Sequence, residues 1–214
     1  MGDPIATHRA DGVAARTAAR CETVLRSVIV LGLLLVSGCS SRIRTPVEYK
    51  PVAGGVDDPL TTVQLELVDA RELDNRAIDP AEIGYGRGLF GNTIPLYEAA
   101  SHSVRYVTRD ATADALRLAR VGVSDHGPRT LVATVKKFWI DGYLGYKATV
   151  TVQCDLRDEQ GNVLWTSVMT GEGGGVNWAG PDTFVRATFQ RALTAYVQKA
   201  GGEFNSPEFQ RYLF

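Results

Sequence analysis

Tyr146-Lys147-Ala148-Thr149-Val150-Thr151-Val152-Gln153-Cys154-Asp155-Leu156-Arg157 is the stretch that decides the fold. Ala148, Val150, Val152, Cys154 and Leu156 alternate with Lys147, Thr149, Thr151, Gln153, Asp155 and Arg157, and a period of two puts each set on its own face of a strand. Asp158-Glu159-Gln160-Gly161-Asn162 follows as a polar hairpin loop, and Asp141-Gly142 opens an earlier one. Strands are therefore expected at Thr130 to Ile140 and at Asn162 to Thr170. Three strands linked by hairpins form an antiparallel meander with one apolar face, and that face must be covered.

The cover is supplied downstream. Val185, Phe189, Ala192, Leu193 and Tyr196 recur at helical spacing between Pro181 and Ala200. Proline suits a first helical turn, and Gly201 is placed to stop the helix. Ser206-Pro207-Glu208 signals a last short helix, with Phe209 and Leu213 free to pack back.

Upstream, Val63, Leu65 and Leu67 alternate with Gln64, Glu66 and Val68 as a half-buried strand. Val104 to Thr108 reads as a short strand, and Asp110 can cap a helix from Ala111 to about Arg120. The connection from Asp69 to Ala100 reads as loop-rich. Within it, Gly86-Arg87-Gly88-Leu89-Phe90-Gly91 matches a G-x-G-x-x-G string, but the Asn92-Thr93-Ile94-Pro95 that follows does not read as a helix. A dinucleotide site needs that helix for the pyrophosphate, so no cofactor is expected. The expectation is one α+β domain over residues 61–214, an antiparallel β-meander packed by a long C-terminal helix and a shorter one.

Ahead of this domain, Val28 to Val36 is apolar except for Gly32, with Arg26 on its flank. A spanning helix needs roughly 20 apolar residues; this run is about half that and matches the hydrophobic region of an export signal. It ends in Val36-Ser37-Gly38-Cys39, the order of a bacterial lipobox. The thiol of Cys39 is the group that takes a diacylglyceryl thioether, and the small residues before it allow an extended backbone into a narrow peptidase site. Residues 1–38 are read as a signal peptide and Cys39 as the mature N-terminus. Asp3, Asp11 and Glu22 dilute the arginines of the first 25 residues, which points to a translation start near Val24. Residues 39–60, with Pro46, Pro51, Pro59 and Gly54-Gly55, read as the lipidated end and a flexible tether.

Composition excludes several functions. From Cys39 onward the chain carries 19 basic and 21 acidic side chains, without the basic stripe of a nucleic-acid surface. Only Cys39 and Cys154 remain in the mature chain, and an acylated Cys39 leaves no disulfide possible; Cys154 is expected inside. His102 and His126 lack partners at ligand spacing, so no metal site is expected. Glu172 has no nameable catalytic partner, and no G-x-S-x-G elbow exists. No enzyme activity is expected. Aromatic residues are the remaining signal: Trp139, Tyr143 and Tyr146 flank the first hairpin tip, and Trp178 precedes the long helix. Such residues can anchor a partner when they share one face.

The order of elements resembles a known family. The lipobox, the proline-containing tether, the Asp69-Ala70-Arg71 step closing a strand, the meander with its Gly161-Asn162 turn, the glycine-rich exit, the long helix and the Ser206-Pro207-Glu208-Phe209 step are similar to those of the YajG-like outer-membrane lipoproteins. The resemblance implies an exported, lipid-anchored envelope protein without catalytic residues, held in the membrane through Cys39, while the aromatic residues above are the candidate contact with an envelope protein partner. The outer membrane is favoured, because Ser40 stands where many enteric lipoproteins carry an inner-membrane retention aspartate. A related architecture in auxiliary lipoproteins of envelope transport systems implies an alternative, contact with a lipid or small ligand. That alternative requires an apolar groove between the long helix and the sheet.

Overall fold

The computed structural model describes residues 43–52, 58–73, 76–87, 93–99, 104–142, 145–175 and 181–214. The meander is present: β8 (Thr130–Gly142), β9 (Tyr146–Arg157) and β10 (Val163–Gly175) pair antiparallel in sequence order. Ala148, Val150, Val152, Cys154 and Leu156 are all fully buried, as their alternation requires.

The sheet is larger and more mixed than a meander. β8 also takes β2 (Thr61–Asp69) as a parallel partner along Thr130 to Val135, and β5 (Glu82–Arg87) along Ile140 to Gly142. β5 pairs antiparallel with β6 (Thr93–Glu98), β6 pairs parallel with β1 (Ile43–Thr45), and β2 pairs parallel with β7 (Val121–Val123). Among the described residues, four of the seven pairings in this eight-stranded sheet are parallel. A two-stranded ribbon, β3 (Glu72–Leu73) and β4 (Arg76–Ala77), stands apart. Parallel pairing joins segments distant in sequence and leaves no hairpin signal, so the local pattern could not announce it.

Three helices complete the described part: α1 (Val104–Leu118), α2 (Pro181–Phe204) and α3 (Pro207–Leu213). Val104 to Thr108 is thus the first turn of a helix and not a strand. Val104, Val107, Ala111 and Ala115 are all buried; their spacing makes one helical face, and burying it outweighs the weak helix preference of β-branched residues. Helix α2 starts at Pro181 as expected but runs through Gly201, whose missing side chain admits the neighbouring helix: a Cβ there would lie 3.2 Å from Leu118. Ser206 caps α3, accepting the Phe209 amide at 3.3 Å. Phe209 then packs against Trp165 and Phe204, ring centroids 4.8 and 5.0 Å away.

The described parts of the glycine-rich stretches are strands. Gly171 and Gly173 share the inner face of β10, where a Cβ would lie 2.1 Å from the Ala192 carbonyl oxygen and 2.3 Å from that of Thr188, respectively. Helix α2 therefore rests its backbone directly on the strand. Gly84 lies in β5 at φ +148°, its absent Cβ only 2.0 Å from the Ile140 carbonyl oxygen, at the register shift between Glu82 and Gly84.

The segment read as a tether also folds in part. Thr45 at the end of β1 and Val47 beyond it are fully buried. The Lys50 amide donates to Gln190 Oε1 (3.0 Å) while Gln190 Nε2 donates to the Lys50 carbonyl (2.9 Å). The ordered domain thus begins by Ile43. Pro46 and Pro51 rule out a helix there, but they fit an extended strap held by side chains.

Candidate partner-binding face

The helices cover one face of the sheet, and the site is built on the other. A bulge in β8 between Val135 and Lys137 resets the alternation. After it, Phe138 and Ile140 point inward, fully buried or nearly so, while Lys137, Trp139 and Asp141 stand opposite Thr151, Thr149 and Lys147 on the outer face. β5 brings Tyr85 beside Asp141. The Tyr85 hydroxyl donates to Asp141 Oδ2 at 3.0 Å, and its ring meets Trp139 edge-on at 5.8 Å. Across the groove, Lys147 Nζ lies 2.9 Å from Glu172 Oε1, with both side chains more than half exposed. An ion pair so exposed adds little stability; it sets the charge of the rim. The groove encloses about 480 Å³.

Of the four aromatic residues singled out, Trp139 belongs to this groove, only 8% exposed. Tyr146 does not. It lies on the inner, helix-covered face, two residues before buried Ala148, with its ring 5.2 Å from Phe184. Gly142 makes room for it, since a Cβ there would meet the Tyr146 ring at 2.2 Å. A single-residue step along a strand reverses the face, and Trp139 and Tyr146 fall on opposite ones. Tyr143, Trp178 and Cys39 lie outside the described residues.

Other candidates resolve into structural roles. Cys154 is fully buried, and burial pushes its thiol up to about 12; an un-ionised thiol is a poor nucleophile. Below it, the Tyr196 hydroxyl lies 2.9 Å from Thr112 Oγ1, which donates to the Thr108 carbonyl at 2.8 Å. His126 is exposed in a turn, its amide donating to Ser124 Oγ at 3.2 Å. Among the described residues no group of three metal-ligating side chains converges.

Among the buried charged residues, Arg71, Asp114 and Glu98 were invisible as such in the sequence. Arg71, only 5% exposed, donates two bonds of 2.9 Å to Asp69 and reaches the carbonyls of Glu82 and Pro80 at 2.8 Å. The Asp69-Ala70-Arg71 step thus braces the turn into β5. Asp114 on α1 accepts from the Tyr49 hydroxyl, the Val52 amide (2.8 Å) and Arg117. Burial pushes its carboxyl up, but these donors outweigh that and hold it below the usual carboxylate range. Glu98, at the end of β6, is buried with Oε1 unpartnered, and burial raises it to about 8. No signal short of tertiary contact marks these positions: Arg71 and Glu98 lie at or beyond strand ends, and Asp114 sits within α1, where a carboxylate held by distant donors looks in the sequence like a solvated one.

Comparison with solved structures bears on the whole arrangement. The crystal structure of protein XCC0632 from Xanthomonas campestris, described under the family model DUF330, aligns at 17% identity over 80% of this chain and 98% of its own, with a TM-score of 0.53. The chain shares that protein's fold. A candidate lipoprotein from Caulobacter crescentus aligns over 50% of this chain and 84% of its own (17% identity, TM-score 0.40). The PelC dodecamer of Paraburkholderia phytofirmans aligns over 72% and 93% (12% identity, TM-score 0.37). No family model matches the chain, and no curated protein matches it. Among the described residues, no helix is long and apolar enough to cross a membrane.

Proposed function

We propose that this chain is a non-enzymatic lipoprotein of the bacterial envelope, anchored through Cys39, whose domain holds another envelope protein at the outer membrane. The observation that carries this reading is the register of hydrophobic run, small residues and cysteine from Val28 to Cys39. Two or three acyl chains on one cysteine give lasting attachment where one gives only marginal binding. The groove around Trp139 and Tyr85 suits a protein partner, with an aromatic pair inside and a charged rim of Lys137, Lys147 and Glu172.

The alternative of a lipid held between the long helix and the sheet finds no support in the geometry. Gly171 and Gly173 bring the α2 backbone onto β10, and Phe189, Leu193 and Tyr196 fill the interface, each fully buried. An acyl chain would have to displace them.

Two variants test the reading in cells. Cys39→Ser is expected to move the protein from the detergent phase to the aqueous phase of a detergent split; unchanged partitioning overturns the anchor. A photo-cross-linker replacing Lys137 on the groove rim is expected to trap one discrete envelope protein, whereas one replacing Val163, an exposed residue at the far end of β10, is not. Equal products from both positions, or none from Lys137, overturn the docking face.

A further inference from the structure

The geometry points to one end of the sheet lying on the phospholipid surface, with a cleft there that receives a phospholipid headgroup. The inference rests on the anchor proposed at Cys39 and deepens it.

Only Ser40, Ser41 and Arg42 separate Cys39 from Ile43, the first residue of β1. Fully extended, that connection reaches at most ~14 Å, far short of the swing that a tether running to Leu60 would allow. The register fixes which part of the domain lies within that reach. Ile43 pairs with Leu96, Leu96 with Gly84, Gly84 with Ile140, and Ile140 with Ala148. β1 starts from one end of the sheet and runs away from it, and Cys39 is held within ~14 Å of that start. That end is the one where β5 finishes at Arg87 opposite Thr93, where β8 and β9 meet at Gly142 and Tyr146, and where β10 finishes at Gly175. From Leu96 to Thr93 is three residues, roughly 10 Å of strand. The far end, with half-buried Asp158 and exposed Glu159 in the β9–β10 hairpin, lies ~40 Å away along the 13 residues of β8.

The near end is equipped for that surface. Arg87, Asp141, Gly145, Tyr146 and Lys147 line an open cleft of about 360 Å³. Arg87 and Lys147 are both exposed; Lys147 already pairs with Glu172 at 2.9 Å, and a headgroup phosphate can exchange for the carboxylate in so exposed a pair. Asp141 already accepts from Tyr85. The exposed Arg44 of β1 adds a further cation beside the anchor. The acidic hairpin is thereby directed away from the anionic surface. A free phosphate has the same chemistry, but the short leash puts this cleft against lipid.

The test uses the acylated full-length protein in vesicles of phosphatidylethanolamine and phosphatidylglycerol carrying a headgroup nitroxide. A fluorophore is attached at Thr93→Cys or at Asn162→Cys, both exposed positions, with Cys154 too deeply buried to compete. Quenching at position 93 at least threefold above that at 162 is expected. A protein that fails to float with the vesicles overturns the anchor and the orientation together. One that floats but is quenched equally at both positions, or more at 162, overturns the orientation alone. Replacing both Arg87→Glu and Lys147→Glu in the anchored, folded protein is expected to at least halve the quenching at 93; an unchanged value overturns the headgroup cleft.

Discussion

Two glycine-rich stretches in this chain look alike and do different work. Gly84-Tyr85-Gly86 falls in a stretch read as loop and Gly171-Glu172-Gly173 in one read as a glycine-rich exit from a strand, and both are strands. At Gly171 and Gly173 the backbone conformation suits any residue; what glycine provides is space, because a helix rests on the strand. At Gly84 it provides conformation and space together, with φ +148° and a neighbouring carbonyl oxygen 2.0 Å from the absent Cβ. The lesson is that glycine within a strand marks a close approach, and the approaching group decides the consequence.

Substitutions can separate the two. Replacing both Gly171→Ala and Gly173→Ala sets each Cβ against fixed helix backbone, so α2 must lift from the sheet. A loss of about 3 kcal/mol or more is expected in urea denaturation, at the upper end of the cost of overpacking. A loss under 1 kcal/mol would mean that the helix is not seated there. Gly84→Ala combines strain with a clash confined to one bulge, and about 2 kcal/mol is expected. The two regions should also differ in their response to pH. Glu98 lies on the strand beside β5, and its carboxyl is raised to about 8 in the fold from an ordinary value of 4.5. Between those values the unfolded chain releases a proton that the folded chain retains, so stability falls as pH rises from 4.5 to 8. Glu98→Gln is expected to melt above the parent at pH 8 and level with it at pH 4; the same melting difference at both values would remove the ionisation from the account. The smallest effect belongs to a glycine with no neighbour. Gly202 sits exposed in α2 with nothing within 4 Å of a Cβ, and Gly202→Ala is expected to gain about 0.5–1 kcal/mol.

Legibility in the sequence followed the range of the interaction. The alternation of β9 and the start of α2 at Pro181 are local patterns, and the Ser206 cap is one too; each stands where the pattern put it. The first turn of α1 was misread because Val104 and Val107 favour strands locally, while their burial against the sheet decides for a helix. The strap was misread because Pro46 and Pro51 signal irregular chain, and nothing local shows that Val47 is buried or that Tyr49 reaches Asp114, 65 residues away. The outer-face groove was half legible. Trp139 stood out as an aromatic residue, but its partner Tyr85 comes from a strand joined to β8 by parallel pairing, and the bulge before Lys137 sets the face on which both stand.

The membrane anchor and the orientation built on it depend on the chemistry of one residue, and the N-terminal peptide of the mature protein examines that residue directly. Mass spectrometry of the protein purified from membranes is expected to find a chain beginning at Cys39 and carrying the mass of a diacylglyceryl group, with or without a further acyl chain. A mature chain that begins at any other residue, or an unmodified Cys39, would contradict the account.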